Sequence, residues 1–153
     1  MKDGVFPLSK VTAGFQDKLN KLTAFLEKDT DILLGYLFGS QATDKAGPLS
    51  DVDIAVLLKS TSKKELFAKR LVLLREFTKI FAANDIDLVI LNEAPIALKY
   101  NILKNSKPLY IFDENLHFQL VQETISQYLD FKPVLEYHYK SLQKRIEDDQ
   151  YAN

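Results

Sequence analysis

Leu37-Phe38-Gly39-Ser40-Gln41-Ala42-Thr43-Asp44-Lys45-Ala46-Gly47-Pro48-Leu49-Ser50-Asp51-Val52-Asp53-Ile54-Ala55-Val56 joins two apolar runs through a glycine-serine turn and a pair of carboxylates. Gly39 and Ser40 close the run over residues 32–38, and Asp51 and Asp53 open the run over residues 54–58. Short, continuous apolar runs are the pattern of strands covered on both faces. Residues that are costly to bury therefore stand at the ends of two expected buried strands, which is where sites are usually built.

Side chains alternate along a strand, so Asp51 and Asp53 share a face, roughly 6 to 7 Å apart. Two like charges so placed repel unless a cation lies between them. Magnesium is a hard ion held by one or two carboxylates together with substrate phosphates. Gly39 lets a backbone approach a phosphate closely, and Ser40, if it opens a helix, adds a hydroxyl and N–H groups at the positive end of a helix dipole. The expected site grips a phosphate with the turn and its metal with the carboxylates. Gly-Ser is also a common turn, and Ser-Asp-x-Asp a common solvated loop or cap. Taken together, four fixed positions at about 7% usage each coincide in roughly a few chains per thousand, so the constellation outweighs its parts.

A length of 153 residues fits a single domain, 1–153, and 46% hydrophobic with 27% charged residues is globular composition. The net charge of −1 and the lack of a basic run disfavour a polynucleotide, leaving a nucleotide or a protein as the better partner. The absence of cysteine excludes disulfides, thiolate zinc sites and a cysteine nucleophile. Residues 1–10 carry no signal-peptide core and no segment reaches the ~20 apolar residues of a membrane span, so the expectation is a soluble, cytoplasmic protein. No Walker loop, G-x-G-x-x-G, catalytic serine-histidine-aspartate set or internal repeat is present.

Along the chain, Leu8, Val11, Phe15, Leu19, Leu22 and Leu26 recur at helical steps, with Gly14 inside the pattern at a cost of about 1 kcal/mol. Gly47-Pro48 marks a turn before the second strand. Ser62-Lys63-Lys64-Glu65 is a capping-box pattern that starts a long helix through Leu66, Leu71, Leu74, Phe77 and Phe81. Its Lys63, Lys64, Lys69, Arg70, Arg75 and Lys79 read as a solvated face. Asn84-Asp85 turns into a third strand over residues 86–91, which Asp87 interrupts. An aspartate there is expensive to bury unless paired or metal-bound, and Asp85 shares its parity, so spacing alone leaves the two open. Pro95 reads as a first-turn proline of a short helix, and Lys107-Pro108 precedes an edge strand over residues 109–112. The rest is helical, through Leu116, Leu120, Ile125, Tyr128 and Leu129, with Pro133 either kinking one helix or starting another. Phe131, Tyr137 and Tyr139 suit docking on another chain as well as packing on the sheet. His117 and His138 lie apart from the carboxylates and read as surface or packing residues.

Gly39-Ser40, ten intervening residues, then Asp51-Val52-Asp53 resembles the signature of the polymerase-beta-like nucleotidyltransferase superfamily. Within it, the short length and Asp85-Ile86-Asp87-Leu88-Val89-Ile90-Leu91-Asn92-Glu93-Ala94-Pro95 resemble the MNT-type antitoxins that pair with HEPN-type ribonuclease toxins. The resemblance implies an α/β (α+β) fold with a mixed central sheet flanked by helices and a helical C-terminal region. It also selects Asp87 over Asp85 as the third carboxylate. Asp51, Asp53 and Asp87 would then be the catalytic and metal-holding residues for two magnesium ions, with Gly39, Ser40, Asp51 and Asp53 contacting ATP. The implied reaction moves AMP from ATP to a tyrosine of a HEPN-type toxin, in a hetero-oligomer, and so silences it. A binding-only antitoxin with a vestigial site and a small-molecule transferase of the aminoglycoside type are the alternatives. Thr43 and Asp44 stand where family members commonly carry arginine and glycine, which removes one phosphate contact and sets a carboxylate near the triphosphate.

Overall fold

The structure, a computed structural model, describes residues 13–43, 51–82 and 85–151. In chain order the elements are α1 (Ala13–Lys28), β1 (Ile32–Phe38), β2 (Val52–Leu58), α2 (Lys63–Phe81), β3 (Ile86–Ile90), α3 (Ile96–Asn105), β4 (Lys107–Ile111) and α4 (Glu114–Tyr151). The expected fold class holds: four strands form one mixed sheet in the order β3-β2-β1-β4. β1 runs antiparallel to both β2 and β4, and β2 runs parallel to β3.

Strand alternation divides the interior in two. On one face Val52, Ile54, Val56 and Leu58 of β2 and Leu88 and Ile90 of β3 meet Leu19, Leu22 and Leu26 of α1 and Leu66, Leu73, Phe77 and Phe81 of α2. On the other, Leu34, Tyr36 and Ala55 pack with Leu91, Ile102, Leu116 and Leu120 under α3 and the start of α4. Cover on both faces is why β1 and residues 54–58 of β2 read as unbroken apolar runs. Ile32 belongs to the first face and Leu34 to the second because the β1–β2 register slips between them.

Several elements differ in detail from expectation. Leu8, Val11, Asp44, Gly47, Pro48 and Asn84 lie outside the described residues. Ser62 does cap α2, but its side chain bonds no helix N–H; Glu65 turns instead to the Ser60 hydroxyl. Lys69 is not a free solvated charge, since its Nζ lies 2.7 Å from Asp29 and 3.0 Å from Asp31, tying α2 to the turn before β1. Pro95 is the cap of α3 rather than its first helical residue. Pro108 lies within β4, opposite Tyr36, where an edge strand tolerates its missing N–H. α4 is one helix of 38 residues that continues across Pro133. No helix among the described residues is long and apolar enough to cross a membrane.

Candidate functional site

β1 ends and β2 and β3 begin at the same edge of the sheet. Phe38 is the register partner of Asp53, and Asp53 is the register partner of Asp87. Direct partners in a ladder project from the same face. Val52, Ile54, Leu88 and Ile90 point to the α1–α2 side, so Asp53 and Asp87 project to the α3–α4 side. Asp51 precedes the first residue of β2 and is exposed, as is Asp87, while Asp53 is half-buried.

Electrostatics joins the three. Burial first, then the charge of Asp87, then that of Asp51, push the Asp53 carboxyl above its ordinary range. The fold therefore places Asp53 and Asp87 face to face with Asp51 beside them. The reason first given for Asp87 does not survive: its side chain is exposed at the strand entry, so no burial cost singles it out. Asp85 lies one residue before β3, where its carbonyl accepts the Val52 N–H at 3.0 Å, a strand-entry role.

Gly39 has φ +67°, and a Cβ added to it would run into the Asp53 carboxylate. Its lack of a side chain thus makes room for a carboxylate of the site, in addition to any bound phosphate. Ser40 does not open a long helix: Gly39–Gln41 is a single 3-10 turn, so no macrodipole of useful length ends here. What remains at Ser40 is a half-buried hydroxyl beside a backbone bend.

Carboxylate oxygens are the hard donors that magnesium takes. Among the described residues no group of three or more histidine, cysteine or acidic side chains stands close enough together to hold an ion. The donor chemistry of Asp51, Asp53 and Asp87 fits magnesium, and these are the residues that could hold it.

Two polar contacts escaped the sequence reading, one at the far end of β2 from the site and one behind the site. Asn92, just past β3, accepts the Leu58 N–H at 2.9 Å and donates to the carbonyls of Leu58 at 2.8 Å and Ser60 at 3.2 Å, pinning the end of β2. Behind the site, the hydroxyl of buried Tyr36 lies 2.6 Å from His117 Nδ1 on α4. Burial, and then the charge of Glu114, push the Tyr36 pKa up, so the phenol stays protonated. The only local hint of either was a polar residue inside or beside an apolar run.

Residues 20–115 match the family described as polymerase beta, nucleotidyltransferase. Comparison with curated proteins finds no match. Among solved structures, a toxin-antitoxin with AMP-PNP is 25% identical, with a TM-score of 0.69 over 84% of this chain and 98% of its own. A tri-AMPylated HEPN toxin from Shewanella oneidensis in complex with MNT antitoxin matches at 25% identity and a TM-score of 0.66, over the same shares of the two chains. A toxin-antitoxin MntA-HepT structure gives the same values.

Proposed function

Because the chain belongs to the polymerase beta nucleotidyltransferase family, we propose that it transfers AMP from ATP to a tyrosine of a HEPN-type toxin and so acts as its antitoxin in the cytoplasm. The observation that carries this reading is the register that sets Asp53 against Asp87 at the strand end leading into Gly39 and Ser40. A neighbour with AMP-PNP and another with an AMPylated HEPN toxin support the nucleotide and the acceptor.

In the proposed reaction the acceptor oxygen forms a bond to the α-phosphorus of ATP. The bond from that phosphorus to the bridging oxygen of the β-phosphate breaks, and pyrophosphate leaves with the electron pair. Asp87, exposed at the site mouth, takes the hydroxyl proton and passes it to water. Gly39 and Ser40 lie against the triphosphate, with Gly39 supplying close backbone approach. Asp51, Asp53 and Asp87 would hold magnesium, which, when bound, neutralises phosphate charge and lowers the barrier to displacement. Asp51 and Asp53 are the shared ligands, and Asp87 completes the set.

The test is incubation of the chain with ATP, magnesium and a HEPN-type protein, followed by intact-mass measurement and peptide mapping. The expected result is addition of AMP to a toxin tyrosine, absent with Asp53→Asn. A complex that forms with no mass gain would leave a binding-only antitoxin. AMP on an aminoglycoside and on no protein would make the chain a small-molecule transferase.

A further inference from the structure

We propose that the projecting half of α4 is a self-association surface on which a second copy of this chain lays its own α4 antiparallel. From Leu129 to Tyr151 every residue is exposed except Leu135 and Ser141, so the helix runs clear of the sheet over most of its length. An unsupported helix interrupted by a proline is marginal in water. At 3.6 residues per turn, Leu135, Tyr139, Leu142 and Ile146 fall on one stripe, and Pro133 falls on the opposite side. Tyr139, Leu142 and Ile146 are 72%, 55% and 55% exposed. The stripe prolongs the line along which the first turns of α4 pack, where His117 meets Tyr36, Thr124 is buried and Tyr128 stacks on Tyr100.

The spacing identifies the occupant. Lys132, Leu135, Tyr139, Leu142, Ile146 and Asp149 follow one another at steps of 3, 4, 3, 4 and 3, a pattern that reads the same from either end. Two copies running in opposite directions set Leu135 against Ile146 and Tyr139 against Leu142, each twice about a two-fold axis. The outer layers then oppose Lys132 to Asp149. A parallel pair would oppose lysine to lysine and aspartate to aspartate, and an unrelated partner would require no such symmetry. The contact is isologous and closed, with knobs spaced as in a short antiparallel coiled coil. It is independent of the transfer reaction.

Sedimentation of the full chain over a range of concentrations tests it. The expected result is a reversible dimer that Leu142→Asp abolishes and that Lys132→Asp or Asp149→Lys weakens at least tenfold. The double variant Lys132→Asp with Asp149→Lys should recover most of the loss, with circular dichroism showing that each variant remains folded. A monomer at every concentration, indifference to Leu142→Asp, or a double variant no better than the singles would overturn the proposal. So would a monomer whose capture of a HEPN-type protein is lost with Leu142→Asp, since the stripe would then belong to a foreign partner.

Discussion

At the scale of single residues, Asp53 is the most constrained group of the site. It is flanked by two other carboxylates and is the reason that Gly39 has no side chain. A carboxyl whose folded-state pKa is raised binds its proton more tightly in the folded chain than in the unfolded one. Its stabilising contribution is therefore complete below the ordinary aspartate pKa and is lost as pH rises through the raised value. In metal-free protein, Asp53→Asn should raise the thermal midpoint at neutral pH, with the gain fading below about pH 3, as calorimetry across pH would show. The same substitution should cut AMP transfer by about 100-fold or more. Gly39→Ala meets two obstacles, a left-handed backbone and the Asp53 carboxylate. It should cost about 1–2 kcal/mol in urea denaturation and reduce transfer further than that loss accounts for. Of these residues, the positions of Gly39 and Ser40 after β1 and of Asp51 and Asp53 at the start of β2 were legible from the apolar runs. Asp87 was not, since its parity was shared with Asp85 and its burial had been overestimated. Only the pairing of β2 with β3 brings it opposite Asp53.

At the scale of elements, the two central strands, β1 and β2, were the most readable part because each carries an apolar run buried on both faces. The run over residues 32–38 is β1 without change. Where elements end was harder, because partners distant in sequence decide it. Asn92 reaches back 34 positions to Leu58, and His117 reaches back 81 to Tyr36, separations that no local pattern encodes. Asn92 acts as one more rung, standing in for a strand residue beyond β3. Asn92→Ala should leave the Leu58 N–H and carbonyl without that partner and cost about 1–3 kcal/mol, measured as a shift in the urea midpoint with unchanged slope. The capping box failed for a related reason: Glu65 has a competing hydroxyl at Ser60, and the local motif cannot announce it.

At the scale of the whole molecule, the site and the projecting part of α4 are separable. The carboxylates sit at the entry edge of the sheet, whereas the helix beyond Leu129 touches neither core. Truncation before Pro133 should therefore preserve ATP binding within about twofold while removing self-association, as calorimetric titration and sedimentation of the same sample would show. If toxin AMP transfer falls with the truncation, the tail also contributes to the acceptor complex; unchanged transfer removes it from that contact. One further consequence follows from the way α4 is held. The helix is clamped between its start and Tyr128, and from there to Tyr151 it extends about 35 Å at 1.5 Å per residue. Mechanically it is a boom with its pivot against the sheet. A tilt of about 10° at the clamp sweeps the tip through roughly 6 Å. A shift too small to disturb the sheet, at the point where Tyr36 meets His117, thus becomes a displacement of molecular size at the far end.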